Sequence, residues 1–183
     1  PFLFSELFEL FGENLDDYLE FVHLDPYYRF YFSETDEHFN YHASVEDTLT
    51  EIRRFSNNDA KGYLSLLDAS KEVYDIGFKK LAHRPFNKLF LMMSQIPALI
   101  KLKCYRTVWK MVGSYLKHPL IRKAFSIHPL LVGGNPFTTT SIYALIHYLE
   151  RKWGVFFCMG GTSKLVSELE NLMLRQNINI LKN

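Results

Sequence analysis

The sequence predicts an α+β fold that is mostly helical and includes a small aromatic sheet. Aromatic residues alternate along residues 27–32, and Phe39 and Tyr41 continue the alternation after a polar turn. A period of two residues is typical of β-strands, so these two segments predict a hairpin within a larger sheet. Elsewhere, apolar residues recur at helical spacing, and proline or glycine separates one helical segment from the next.

The first 81 residues are predicted to form short helices and strands that lead into one long helix. Ser44 and Asp47 are close to a capping box, in which a hydroxyl accepts a hydrogen bond from a free backbone amide of the first helical turn. In chain order, the predicted elements are a helix capped by Ser5 and ended by Gly12, a helix at 14–20, a strand at 21–24, the hairpin, a helix from Ser44 to Phe55 and a helix at 59–81.

Prolines divide the next residues into shorter helices, and glycines organise the segment that follows. Pro97 fits the first turn of a helix that runs to about Leu116, because proline loses no helical hydrogen bond there. Residues 130–161 read LLVGGNPFTTTSIYALIHYLERKWGVFFCMGG. These residues and those after them predict a helix, a sharp turn between buried helices at Gly133, Gly134 and Pro136, a helix that Gly154 ends, a buried strand at 155–157, a helix after Gly160 and Gly161, and a strand at 178–181.

Charge is distributed unevenly, although the net charge is only +1. Residues 1–75 carry 17 acidic and 5 basic side chains, whereas residues 76–149 carry 11 basic and no acidic ones. Basic charge beside apolar surface suits an anionic membrane. Docking of the basic segment against the acidic one is an open alternative. Nucleic-acid binding is not expected, because the bases lie on helices with aliphatic faces rather than among stacking aromatic residues.

The composition bounds the class of protein. Aromatic residues make up 16% of the chain, which either an aromatic core or a channel for a lipophilic ligand would explain. No apolar run reaches the ~18 residues of a membrane span. Cys104 and Cys158 lack the spacing of a zinc site or a redox pair, which favours a reduced, cytoplasmic protein. The chain begins with proline and ends in an apolar run, so an internal fragment is expected.

No metal site is predicted. His38 and His42 are four residues apart but lie in the predicted hairpin, where their side chains do not converge on one ion. His128 and His147 are predicted to be hydrogen-bonded within the core. Residues 160–164 contain two glycines and a lysine, but not in the order of a phosphate-binding loop.

Residues 122–165 resemble the bacterial-type phytoene desaturases, which are FAD-dependent carotenoid desaturases of the amine-oxidase-like flavoprotein superfamily. The matching motifs are Leu-Leu-Val-Gly-Gly-Asn-Pro-Phe, Ser-Ile-Tyr-x-Leu-Ile, Trp-Gly-Val and Gly-Gly-Thr. The resemblance extends more weakly over most of the chain. It implies the middle of a larger FAD-linked oxidoreductase, with residues 1–56 in a substrate-binding sheet domain, 57–149 in a basic, helical, membrane-facing domain and 150–183 returning to an FAD-binding domain.

The resemblance also implies a reaction, the introduction of double bonds into a C30–C40 polyene by hydride transfer to flavin. FAD would be bound mainly by other segments, because the Gly-x-Gly-x-x-Gly fingerprint is absent from this chain. The isolated chain is therefore expected to be inactive. Leu91 and Ser94 stand near the positions where some family members carry an acidic and a basic residue, so no catalytic residue is predicted.

Three sets of site residues follow from the resemblance. Gly160 and Gly161 are expected near the flavin, with tight helix packing as the alternative. A substrate tunnel is predicted at Pro136, Phe137, Ile142, Tyr143 and Ile146, although these residues would also suit an inert core. Contact with the anionic inner face of the membrane, as a peripheral protein, is predicted for Phe86, Leu89, Phe90, Met92, Met93, Ile96, Lys101 and Lys103.

Two further functions remain open. The first is a non-enzymatic helical module that binds a membrane surface or lipid, which the acid-free segment and the missing cofactor motifs favour. The second is another amine-oxidase-like flavoenzyme, such as a carotenoid isomerase.

Overall fold

A computed structural model describes residues 1–78, 100 and 102–181, and it confirms the α+β fold. Helices dominate, and the described strands form two antiparallel pairs. The chain divides into two compact units, of which unit 1 comprises residues 1–24 and 155–183 and unit 2 comprises residues 25–154.

Unit 1 contains two helices and one strand pair. Their bounds are α1 Phe2–Glu9, β1 Phe21–His23, β4 Phe156–Cys158 and α7 Gly161–Arg175. Strand β1 pairs antiparallel with β4, so that Phe21 lies opposite Cys158. The core of this unit consists of Phe8, Leu15, Leu19, Cys158 and Leu172.

Unit 2 contains the aromatic hairpin and the helices described between residues 45 and 153. Their bounds are β2 Tyr28–Phe32, β3 Glu37–Tyr41, α2 Val45–Phe55, α3 Asn57–Val73, α4 Val108–Tyr115, α5 Pro119–Ala124 and α6 Leu145–Trp153. The predicted hairpin is present and pairs Phe30 with Phe39 and Tyr28 with Tyr41. The larger sheet predicted around it is wrong for the described residues, because β2 and β3 form a two-stranded sheet by themselves. Phe39 and Tyr41 are buried, because their rings pack against Phe125.

Side-chain caps determine where several helices of unit 2 begin. The Ser44 hydroxyl accepts a hydrogen bond from the Asp47 amide, which confirms the predicted start of α2. Ser56 caps α3 in the same way through the amide of Asp59. Helix α3 then continues as a π-helical segment, Tyr74–Phe78.

Several predicted elements differ in the structure. Helix α1 begins at Phe2 with Pro1 as its N-cap, so Ser5 lies inside the helix and does not cap it. The helix predicted at 14–20 is a short 3₁₀ turn, Leu15–Asp17. Residues 178–181 do not form a strand, because a strand requires a hydrogen-bonded partner and none of the described strands pairs with them.

The helix predicted to run from Pro97 to about Leu116 ends where the sequence predicts, but it is interrupted within the described residues. Residues 102–105 form turns, and α4 begins only at Val108. The physical reason is a cap, since the Thr107 hydroxyl accepts a hydrogen bond from the Lys110 amide. Pro97 itself lies outside the described residues.

Candidate functional site

The glycine-rich turn of unit 2 presents an apolar surface. A 3₁₀ helix, His128–Val132, ends at Gly133, whose φ of 70° is left-handed and favours glycine. The side chains of residues 130–132 are 56–61% exposed within this unit, although the sequence predicted a buried turn. The Asn135 carboxamide accepts a hydrogen bond from the Phe137 amide and thereby fixes the second half of the turn.

The predicted tunnel residues lie in the second half of this turn and in the segment that follows it. Phe137 is 58% exposed, and its ring packs against Trp109 with 4.9 Å between ring centroids. The Pro136 carbonyl accepts a hydrogen bond from the Trp109 amide, so the turn is anchored to α4. Ile142, Tyr143 and Ile146 are half-buried near the start of α6. Their assignment to a tunnel remains a prediction.

Gly160 and Gly161 open helix α7 in unit 1. Their φ values of 86° and 75° are left-handed, a conformation that strains other residues. A Cβ atom on Gly160 would also lie 3.0 Å from the Lys164 Cβ. Among the described residues, no side chain caps the start of this helix.

Most of the predicted membrane-contact residues, from Phe86 to Ile96 together with Lys101, lie outside the described residues. Lys103 is described, and it is exposed in the turn before α4. None of the described helices combines the length and the apolar character needed to cross a bilayer.

A buried polar cluster lies beneath the aromatic hairpin, and we name it the His–Glu cluster. It consists of His128, His147 and Glu150, all of which are buried. The His128 Nε2 atom lies 3.0 Å from the Glu150 Oε2 atom, and the rings of the two histidines meet edge to face at 4.1 Å. The Tyr28 hydroxyl donates a hydrogen bond of 2.8 Å to the other Glu150 carboxylate oxygen.

Burial and nearby charge shift the pKa values of His147 and Tyr28. Burial lowers the pKa of His147 well below its usual value, and the neighbouring His128 lowers it further. Burial also raises the pKa of Tyr28, and the Glu150 carboxylate adds to this effect. His147 is therefore a neutral imidazole and Tyr28 a neutral phenol at physiological pH.

Arg151, the residue after Glu150, bonds to several elements of unit 2, and we call its guanidinium and the groups that it contacts the hub. Its guanidinium donates hydrogen bonds to the Tyr63 hydroxyl at 2.8 Å, to the His42 carbonyl at 2.6 Å, to the Ala43 carbonyl at 2.7 Å and to the Thr48 hydroxyl at 2.9 Å. These groups belong to the end of the hairpin, α2 and α3. Helix α6 is therefore tied to all three through one side chain.

The Tyr41 hydroxyl makes the stability of unit 2 sensitive to alkaline pH. This hydroxyl is buried without a hydrogen bond of normal geometry, and burial raises the pKa of Tyr41 well above its usual value. The unfolded chain releases the Tyr41 proton near pH 10, whereas the folded chain keeps it at that pH. The contribution of Tyr41 to stability is therefore fully present below about pH 10 and is lost as the pH rises above it. The loss amounts to about 1.4 kcal/mol for each pH unit.

We expect Tyr41→Phe to make the free energy of unfolding less steeply dependent on pH above about pH 10. Urea unfolding between about pH 8 and pH 11 measures this dependence. Tyr105→Phe serves as the control, because Tyr105 is 73% exposed. An equal alkaline slope for Tyr41→Phe and the unmodified chain would contradict the expectation.

Sequence reasoning missed the His–Glu cluster and the hub. The prediction that both histidines are hydrogen-bonded in the core is confirmed for His128, which bonds to Glu150, but neither ring nitrogen of His147 has a hydrogen bond of normal geometry. One signal was available: His147 and Glu150 are three residues apart on a helix, so their side chains share one face. No pattern among neighbouring residues indicated that the His128 side chain would lie beside His147 and Glu150.

Comparison with known proteins identifies the relatives of this chain. No family model matches it. It is 42% identical over 172 residues to a lycopene-forming phytoene desaturase from Pantoea ananas, covering 94% of this chain and 35% of that protein. A lycopene-forming phytoene desaturase from a Paracoccus species is 40% identical over all of this chain and 36% of its own length. A neurosporene-forming phytoene desaturase from Cereibacter sphaeroides is 29% identical over 94% of this chain and 33% of its own length.

The chain spans about a third of the length of these curated relatives. Its similarity to them covers both units, and the motifs of residues 130–161 lie within it. The resemblance read from the sequence is therefore confirmed, and the chain is homologous to a segment of the phytoene desaturases.

Proposed function

We propose that this chain is part of an FAD-dependent carotenoid desaturase that introduces double bonds into a C30–C40 polyene. The observation that carries the proposal is 38–42% identity, over nearly the whole chain, to three lycopene-forming phytoene desaturases. In the proposed enzyme, residues 1–56, 57–149 and 150–183 serve the substrate sheet, the membrane-facing helical part and the return to the flavin-binding domain.

Flavin, when bound, would accept the hydride, which no protein side chain can accept. The chain's own residues fit a limited role toward it. Gly160 and Gly161 bring the backbone into a left-handed turn before α7, with uncapped amides that suit a close-approaching polar group. The main binding segments for FAD would be other parts of the protein.

The apolar turn of unit 2 is the proposed contact for the polyene. Exposed apolar side chains that lie together mark a binding site for a ligand, a partner or a membrane. Residues 130–132 and Phe137 are exposed apolar side chains on the two halves of one turn, and the Phe137 ring packs against Trp109. Transfer of a long hydrocarbon from lipid to such a surface would need no polar recognition, so shape and apolar area would guide the substrate.

We also propose peripheral binding to the inner, anionic face of the membrane. The absence of acidic residues from 76–149, beside 11 basic ones, supports it. Lys103, which is exposed before α4, would contribute to such binding. Such binding would bring the enzyme to a substrate that resides in the bilayer.

Product analysis tests the activity directly. The complete gene that encodes these residues is expressed in cells that accumulate phytoene, and the extracted pigments are separated by chromatography. We expect new polyenes with more conjugated double bonds than phytoene. Conversion of a polyene only between its cis and trans forms would support a carotenoid isomerase instead, and unchanged phytoene would overturn the proposal.

The Phe137 side chain should matter more for activity than for stability. We expect Phe137→Ala in the full gene product to lower phytoene conversion by about tenfold, because the substrate would lose apolar contact area. The free energy of unfolding should change by only about 1 kcal/mol, since the Phe137 ring is largely exposed. Leu64→Ala is the matched control, as Leu64 is an exposed apolar residue of α3. Equal losses in both variants would contradict a substrate contact at Phe137.

A further inference from the structure

We propose that His128, His147 and Glu150 bind a divalent transition-metal ion of the zinc type inside unit 2. One ligand atom from each residue lies within 4.8 Å of the others. Imidazole nitrogen and carboxylate oxygen are ligands that zinc accepts at about 2.0–2.2 Å, so ligand atoms around one ion are about 3.3–3.5 Å apart. Small side-chain movements would therefore bring the three groups around one ion.

The charge of Glu150 supports a cation at this place. The Glu150 side chain is only 7% exposed. Its carboxylate contacts the Tyr28 hydroxyl and the His128 ring, and no lysine or arginine in the described ranges forms an ion pair with it. Arg151 is adjacent in sequence, but its guanidinium bonds to Tyr63, His42, Ala43 and Thr48 instead. A buried carboxylate is costly unless it is paired or coordinates a metal.

His147 provides the second argument. It is fully buried, and its ring nitrogens have no hydrogen bond of normal geometry in the structure. An imidazole nitrogen whose lone pair accepts no hydrogen bond can coordinate a metal ion. The Tyr28 hydroxyl, bonded to the second carboxylate oxygen, would orient Glu150 as outer-shell partners of metal ligands do.

A hydrogen-bonded pair of His128 and Glu150 without an ion is the competing description. The two descriptions differ in what lies between the His128 Nε2 and Glu150 Oε2 atoms, which are 3.0 Å apart. In the pair, a proton lies between them. In the metal site, the ion replaces that proton, so binding releases it to solvent or to the other ring nitrogen.

Metal titration of the untagged full gene product tests the proposal. The protein is treated with a chelator, transferred to metal-free buffer and titrated with Co²⁺ and with Zn²⁺. We expect about one equivalent of Co²⁺ with visible absorption bands of a nitrogen- and oxygen-ligated ion, and competition by Zn²⁺. A hundredfold excess of Zn²⁺ over its dissociation constant should raise the melting temperature by about 5 °C. Uptake of less than about a tenth of an equivalent would overturn the proposal.

Variants locate the ion. His147→Gln and Glu150→Gln should each weaken binding by tenfold or more, because each removes a direct ligand. His38→Gln is the matched control, since His38 is exposed on β3, and it should bind as the unmodified protein does. Unchanged Co²⁺ binding in a folded His147→Gln protein would overturn the assignment. If a variant does not fold, as judged by circular dichroism, the titration of the unmodified protein decides the question alone.

Discussion

Replacing Arg151 with methionine is expected to lower the free energy of unfolding by about 3–5 kcal/mol. Methionine keeps the helix propensity and much of the volume, but it removes the guanidinium. The His42 and Ala43 carbonyls and the hydroxyls of Thr48 and Tyr63 would each lose a charged donor. Chemical denaturation followed by circular dichroism measures the loss.

The packing of the guanidinium adds to this effect. Its central carbon lies 4.3 Å from the centroid of the buried Tyr41 ring, which is a favourable cation–π distance. Arg53→Met is the matched control, because Arg53 is exposed in the last turn of α2. That variant should stay within about 0.5 kcal/mol of the unmodified chain. Similar stability of the Arg151 and Arg53 variants would show that the hub contributes little.

Replacing Gly62 with alanine is expected to cost about 3 kcal/mol or more. An added Cβ atom would lie 2.1 Å from the Tyr115 carbonyl oxygen and 3.0 Å from its carbonyl carbon. Both atoms belong to the backbone, so relief requires α3 and the end of α4 to move apart. The thermal melting temperature of the variant should fall accordingly.

Gly77→Ala provides the control for Gly62→Ala. A Cβ atom on Gly77 would meet only the Ile142 side chain, at an ordinary contact distance of 3.7 Å. Alanine also lowers the conformational entropy of the unfolded chain, so the change should stay within about 1 kcal/mol. If the two alanine variants melted together, the close approach of α3 to Tyr115 would be wrong.

Local signals account for the parts of the fold that the sequence predicted. The hairpin follows from the alternation of aromatic residues, and its register, with Phe30 opposite Phe39, is what the structure adds. The start of α2 follows from Ser44, whose hydroxyl needs a partner only three residues away. Both effects act between near neighbours, so a sequence carries them without knowledge of the rest of the chain.

The hub and the His–Glu cluster depend instead on distant residues. Arg151 stands in an ordinary Glu-Arg-Lys run on a helix, which reads as a solvated surface. Its partners Tyr63 and His42 precede it by 88 and 109 residues. Tyr28, the partner of Glu150, precedes it by 122 residues. Such contacts follow from the tertiary fold alone, and the spacing of residues in the sequence does not predict them.

The pairing of β1 with β4 has a consequence for the order of folding. The Leu24 amide donates a hydrogen bond of 2.9 Å to the Val155 carbonyl, so the 130 residues between them leave and re-enter unit 1 at adjacent points. Closing so long a loop of flexible chain is slow and entropically costly. Once unit 2 has folded, its first and last residues are already close together, so the pairing of β1 with β4 costs less entropy. We therefore expect unit 2 to fold before unit 1. Translation also completes residues 25–154 before β4 is synthesised.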